Sequence, residues 1–253
     1  MSEELKTAIE AARAGAKSAL KYFENLPPVI IKPDNTPVTK ADKETEEIIR
    51  KTILQAFPNA SFVGEELGGS FGKDDVWIID PIDGTKNFIR AIPFWAILIA
   101  LQRENEIIVG VSYMPSFDEL LFAEKDAGAF LNGKKVTVSN VDQIKNATIT
   151  YTGNPFSFNI PQNVEKLLNA SAHTRGFGDA LSYHLVASGR AEVNFEPEIN
   201  IWDVAPLKVI IENAGGKITS LNGSPWSLEI KDFVATNGLV HDEVIRILNE
   251  KIS

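Results

Sequence analysis

Trp77-Ile78-Ile79-Asp80-Pro81-Ile82-Asp83-Gly84-Thr85-Lys86-Asn87-Phe88 is an apolar run that ends abruptly in two carboxylates, a glycine and a hydroxyl. The pattern reads as a buried strand, Val76 to Ile79, delivering an acidic tip to a site. Pro81 biases Asp80 toward an extended backbone, and Gly84 permits a sharp turn directly after Asp83. Both carboxylates then face one pocket. Thr85 is placed to begin a helix, which aims the Gly84 and Thr85 amides at an anion such as phosphate. By spacing alone, Asp80 and Asp83 can equally cap a turn. The buried run argues for the site, because two charges at its end need a counterion.

Two more acidic islands share this build. Val63-Gly64-Glu65-Glu66 follows an apolar segment, and Trp202-Asp203 opens one. Each also has an ordinary reading. Glu65-Glu66 suits a solvated turn, and Asp203 suits the first turn of a helix, where negative charge is favourable.

Around these islands, Leu5, Ile9, Ala12, Ala16, Leu20 and Phe23 recur at helical spacing, which predicts a helix closed by Pro27-Pro28. A polar link through Pro33-Asp34-Asn35-Thr36-Pro37 leads to a second helix, whose face is Ala41, Thr45, Ile48, Ile49, Ile53 and Phe57. Thr39 and Asp42 form its capping-box-like start. Leu67 to Asp75, rich in glycine and charge, reads as a mobile surface loop. Strands are predicted at Phe94 to Leu101 and Ile107 to Tyr113, joined by a turn at Arg103-Glu104-Asn105-Glu106. Further strands follow at Leu120 to Ala123, Ala129 to Leu131 and Val136 to Ser139, with Asn132-Gly133 as the strongest short hairpin signal.

The second half alternates. Strands are expected at Ala147 to Thr152, Thr174 to Gly178, Ala191 to Phe195, Lys217 to Leu221 and Phe233 to Thr236. Between and after them come helices at Gln162 to Ser171, Ala180 to Ser188, Val204 to Asn213 and Asp242 to Lys251, with a loop at Gly153 to Pro161. This order predicts layered α/β (α+β) structure in one domain, residues 1–253, with lobes of approximately 1–145 and 146–253.

Composition narrows the function. Zero cysteines exclude thiolate metal sites and cysteine nucleophiles. A formal charge of -9 argues against a nucleic-acid partner, whose phosphates demand Lys and Arg. No apolar run reaches the roughly 18 residues of a membrane span, and Met1-Ser2-Glu3-Glu4 lacks signal-peptide character, so a cytoplasmic protein is expected. An anionic substrate on an acidic chain calls for bound cations. Hard carboxylate oxygens suit Mg²⁺.

The three islands together closely resemble the inositol monophosphatase family: Glu65-Glu66, the run from Trp77 to Phe88, and Trp202-Asp203-Val204-Ala205 ending in Ala214-Gly215-Gly216. The likeness runs from the first helix to the last. It implies an α/β/α/β/α sandwich and Mg²⁺-dependent hydrolysis of a small phosphate monoester by in-line attack of a metal-activated water, with two or three ions and Mn²⁺ as a substitute. By the same resemblance, Glu65, Asp80, Asp83, Asp203 and the Ile82 carbonyl are metal ligands. Glu65 and Thr85 would position or activate the water. Asp42 would bond the Thr85 hydroxyl, in competition with its capping role. Homodimers are usual in the family. A haloacid-dehalogenase mechanism needs aspartates at i and i+2, whereas these stand at i and i+3. A metal-binding interaction module without activity is the non-enzymatic reading, and no expected ligand position is replaced here.

Substrate signals are thinner. Lys86, Asn87 and Arg90 follow the phosphate turn and are either substrate contacts or a solvated helix face. Thr85 to Arg90 with Ile92-Pro93, Gly176 to Tyr183, and Glu196-Pro197-Glu198 most resemble the histidinol-phosphatase branch. Asp179 with Glu196 would suit an ammonium-bearing alcohol, while Asp179 also fits as a helix N-cap. Inositol monophosphate is the alternative substrate, ahead of fructose bisphosphate and a phosphoadenosine nucleotide. His173, His184 and His241 are expected to be structural or surface residues. Trp77 and Trp202 are expected to pack beside the metal site.

Overall fold

The computed structural model describes residues 1–26, 28–31, 37–72, 75–152, 163–229 and 231–250. Seven α-helices occur among them: α1 (Glu3–Glu24), α2 (Lys40–Ala56), α3 (Thr85–Phe88), α4 (Val164–Ala170), α5 (Asp179–Ala187), α6 (Ile201–Asn213) and α7 (His241–Leu248). The links expected at Pro33 to Thr36 and Gly153 to Pro161 lie outside the described residues.

An eight-stranded sheet runs in the spatial order Lys134–Val136, Gly128–Leu131, Glu119–Glu124, Glu106–Met114, Ala96–Arg103, Val76–Asp83, Ser61–Gly64, Gly68–Gly69. A five-stranded sheet runs His173–Arg175, Thr148–Tyr151, Val193–Glu196, Phe233–Thr236, Lys217–Thr219. Helices α1 and α2 cover one face of the larger sheet through Leu5, Ala12, Ile49 and Ile53 against Trp77, Ile79, Ile99 and Val111. Its other face packs on α5 and α6, which also meet Phe233 and Ala235 of the smaller sheet. Helices α4 and α7 close that sheet's far face through Val164, Leu167, Val244 and Ile247. The layers are α/β/α/β/α, as expected. Because both faces of the large sheet are covered, the Val76–Asp83 strand is buried at every position, which is why the run from Val76 to Ile79 shows no alternation.

Local signals explain most element ends. Ser2 caps α1 through Leu5 N–H, at 3.1 Å. The turn at Glu104-Asn105 has both residues at positive φ, 50° and 64°, and Asn132-Gly133 likewise has 49° and 77°. Such tight turns match the twist of paired strands.

Three expectations need correction. The strand begun at Val76 does not stop at Ile79 but runs to Asp83, and Pro81 sits inside it. Asp80 pairs with Leu98 and Asp83 with Ala96, so three steps on one strand oppose two on the other. This is a bulge, one of the few sheet positions that tolerates proline. Second, Gly68–Gly69 in the supposed surface loop pairs as an edge strand with Val63 and Gly64. Third, Trp77 packs with Phe57 and α1 on the face away from the acids.

Helix α6 crosses the sheet closely. A Cβ at Gly110 would lie 2.2 Å from the Pro206 carbonyl oxygen. Gly110→Ala is therefore expected to cost about 1–3 kcal/mol of stability by overpacking. Urea unfolding reads this directly; an unchanged midpoint would mean that the crossing is not tight.

Candidate active and metal site

Opposed residues of an antiparallel pair point to the same face. Leu98 and Ala96 both belong to the core against α5 and α6. Their partners Asp80 and Asp83 therefore both turn toward those helices. Without the extra residue at the bulge, one of the two would point into the apolar layer under α1 and α2. Ile82 N–H, released from the ladder, donates to Asp80 Oδ1 at 3.0 Å.

Ser61–Gly64 pairs in parallel with this strand, so both chains leave the sheet at the same end. Glu65 is the next residue, its N–H donating to the Ile79 carbonyl at 3.1 Å. From the other half of the chain, α6 brings Asp203 in its first turn, where Asp203 Oδ2 accepts the Asn200 N–H at 3.0 Å. Carboxylate oxygens of Asp80, Asp83 and Asp203 all lie within 4.8 Å of one another. Asp80 and Asp83 are buried and Asp203 is partly exposed.

Such a cluster strains its own charge. Burial pushes the Asp80 carboxyl well above the usual range, and Glu65, Asp203 and Asp83 push it further. Asp83 is raised by burial and then by Asp179 and Asp203, against the Ala180 N–H that it accepts at 2.7 Å. Asp203 rises to about 7, through burial and the charge of Glu65. A hard divalent cation among these oxygens removes the repulsion, and the donor set fits it.

Asp42 stands within bonding distance of both partners expected for it. Its Oδ2 accepts from Thr39 N–H and Thr39 Oγ1, each at 2.7 Å, which starts α2. Its Oδ1 lies 3.4 Å from Thr85 Oγ1, which also donates to the Ile82 carbonyl at 2.9 Å. Burial raises the Asp42 carboxyl. Gly84 precedes α3 with φ 82°, and a Cβ there would come 2.8 Å from the Phe94 carbonyl oxygen.

Asp179 is not the N-cap of α5. Gly178 holds that place, and the Ala180 amide is capped by Asp83 from the other half of the chain. The Asp179 carboxylate instead accepts from Asn87 Nδ2 at 2.7 Å. Burial raises it to about 6, while Lys86 and Asn87 hold it down. Glu196 is buried, bonded by the Tyr183 hydroxyl, and raised to about 8 by burial. Lys86 and Arg90 are exposed on the turn of α3.

The sequence reading missed Glu46. It is fully buried on α2, accepts the Glu66 and Leu67 amides at 2.9 and 3.2 Å, and pairs with Arg50. A Cβ at Gly64 would sit 2.0 Å from Glu46 Oε1, so glycine there makes room for the carboxylate that shapes the Glu65 turn. The signal was present: Asp42, Glu46 and Arg50 share the face of Thr45, Ile49 and Ile53. Tyr183 had no comparable signal. His184 and His241 are buried and hydrogen-bonded to Ser112 and to Thr219 and Thr236, and His173 is exposed.

The family model described as the inositol monophosphatase family matches residues 1–253. The chain belongs to the inositol monophosphatase family. It is 36% identical over 249 residues to a histidinol-phosphatase of Chlorobaculum parvum, covering 97% of this chain and 96% of that one. An inositol-1-monophosphatase of Caulobacter vibrioides is 34% identical over 252 residues, covering 95% and 98%. Among solved structures, an IMPase of Thermotoga maritima superposes with a TM-score of 0.91 at 30% identity, covering 98% of each chain. Inositol monophosphatase family members are metal-dependent phosphoric monoester hydrolases, and this chain is a phosphatase of that kind. No described helix is long and apolar enough to cross a membrane.

If a divalent ion relieves the acidic cluster, millimolar Mg²⁺ raises the melting temperature; occupancy at 100 times Kd adds about 2.7 kcal/mol. Asp80→Asn removes one repelling charge, so in EDTA it melts at or above the parent, and in Mg²⁺ it loses most of the shift. Equal Mg²⁺ shifts in both proteins would count against Asp80 as a ligand.

Proposed function

We propose that the chain hydrolyses a small phosphate monoester whose alcohol carries a positive charge, with histidinol phosphate as the substrate. The observation that carries this reading is the second pair of acids. Asp179 and Glu196 lie close enough to Asp83 to raise its pKa, beyond the carboxylates assigned to metal. An ammonium on the leaving alcohol would stabilise both as carboxylates, whereas a neutral polyol gives their charged forms no such partner. The Chlorobaculum relative, named a histidinol-phosphatase, supports the choice. Inositol monophosphate is the second reading, supported by the Caulobacter relative at nearly the same identity.

Glu65, Asp80, Asp83, Asp203 and the Ile82 carbonyl are the groups assigned to Mg²⁺. When bound, the ions neutralise the phosphate, acidify a water and stabilise the leaving oxygen. The remaining work falls to the protein. The Gly84 and Thr85 amides are assigned to the phosphate oxygens. The Thr85 hydroxyl has two acceptors in reach, the Ile82 carbonyl and Asp42 Oδ1. By donating to Asp42 it turns its lone pairs outward, where it can accept a hydrogen bond from the attacking water and aim it in line with the leaving oxygen. Glu65, on the turn held by Glu46, is the group assigned to take the proton from that water.

The test is purified protein with Mg²⁺ given histidinol phosphate, inositol phosphate, fructose bisphosphate and a phosphoadenosine nucleotide in parallel. The expected result is the highest kcat/KM for histidinol phosphate; a clear preference for inositol phosphate would replace the first reading with the second. Asp80→Asn and Asp203→Asn are each expected to lower phosphate release by at least about 100-fold. Circular dichroism should show the fold intact in both.

A further inference from the structure

Asn87 was expected either to touch substrate or to sit on a solvated helix face, and its bonding fits neither. Its Nδ2 donates to the Phe94 carbonyl at 2.9 Å and to Asp179 Oδ2 at 2.7 Å. An amide nitrogen carries two hydrogens, so both are committed inside the protein. Asn87 belongs to α3 and Asp179 to α5, and the bond therefore spans the two halves of the chain at the edge of the site.

Asp179 needs to be held. Its φ of 48° lies in the left-handed region, directly after Gly178 at 66°. A side-chain-bearing residue keeps that conformation where its surroundings fix it. Asn87 supplies the fixing bond, and the Ala180 amide, next along the chain, supplies a second through Asp83. The location is informative as well. A Cβ built on Gly84 would lie 2.8 Å from the Phe94 carbonyl oxygen and 3.1 Å from Asp179 Oδ2, the two acceptors that Asn87 joins. The clamp thus lies directly against the turn assigned to phosphate.

We propose that Asn87 is a positioning residue for substrate selectivity: it fixes Asp179 by one oxygen, Oδ2, and so sets Oδ1 toward the alcohol of the ester. The alcohols favoured are those with an ammonium or protonated amine within a few bonds of the ester oxygen. Lys86 is the cation already near this carboxylate, but it is exposed, and a substrate cation can take its place. This inference rests on the reading of Asp179 as the partner of a cationic substrate.

The test measures kcat and KM for histidinol phosphate and inositol 1-phosphate with saturating Mg²⁺, together with thermal melting. The proteins are the wild type, Asn87→Asp, Asp179→Asn and the exchanged pair Asn87→Asp/Asp179→Asn. Asn87→Asp sets a carboxylate against Asp179. It is expected to lower the ratio of kcat/KM for histidinol phosphate over inositol 1-phosphate by about tenfold or more, chiefly through KM. The exchanged pair rebuilds the bond between positions 87 and 179 with donor and acceptor reversed but leaves the Phe94 carbonyl without its donor, so it regains part of the lost melting temperature but not the ratio. An equal loss on both substrates, an unchanged ratio, or a ratio regained by the exchanged pair would each overturn the proposal. Should Asn87→Asp not fold, Asn87→Ala is read in the same way. A wild type that favours inositol 1-phosphate defeats the substrate reading, while the change in ratio still decides the clamp.

Discussion

A single extra residue in one strand sets the direction of two carboxylates, and the rest of the site is arranged around that constraint. The bulge between Asp80 and Asp83 is what lets both acids leave the sheet on the α5 and α6 side. It also absorbs Pro81, whose missing N–H would otherwise break the ladder, and it frees the Ile82 amide to hold Asp80. Holding like charges together in a buried place opposes folding. A divalent cation would relieve that opposition, because the same carboxyls that repel one another offer it hard oxygen donors.

One habit of bonding recurs at the five aspartates of the site. Asp80 uses Oδ1 for the Ile82 amide, Asp83 uses Oδ2 for the Ala180 amide, and Asp203 uses Oδ2 for the Asn200 amide. Asp42 uses Oδ2 for Thr39, and Asp179 uses Oδ2 for Asn87. In each case one oxygen is held by a hydrogen bond within the protein, which fixes the rotamer and so sets where the other points. For Asp42 and Asp203, capping and site roles that looked like rival readings of the sequence are therefore compatible. A carboxylate has enough lone pairs for both.

That compatibility marks where the sequence was legible. The helices, the hairpins at Glu104-Asn105 and Asn132-Gly133, and the convergence of Asp80, Asp83 and Asp203 all rest on local pattern or on motifs dense enough to stand without structure. What escaped was decided at long range. The strand is expected to end at Ile79 with its apolar run, and only the pairing with the neighbouring strand shows that it continues through a bulge at Pro81. Gly68–Gly69 offers no side chain to announce an edge strand. Asp179 looks like a cap for α5 because nothing near it in sequence reveals that Asp83 performs that task from the other half of the chain. Glu46 hides for the opposite reason: charged residues on a helix are ordinarily solvated, and its burial follows only from the turn it holds.

The placement of the acids ties metal binding to the architecture. Glu65, Asp80 and Asp83 come from the large sheet, whereas Asp203 comes from α6, which packs between that sheet and the smaller one. An ion shared by these oxygens would draw the two halves together at the point where Asp83 already caps α5. Phosphate at the Gly84 turn would meet Asp80 and Asp83 on one side and Asp179 on the other. The substrate would then join the same two halves through its two ends, phosphate toward the bulged strand and alcohol toward α5. Selectivity for the alcohol and affinity for the phosphate would depend on one shared geometry, and a change in either half should be felt at both.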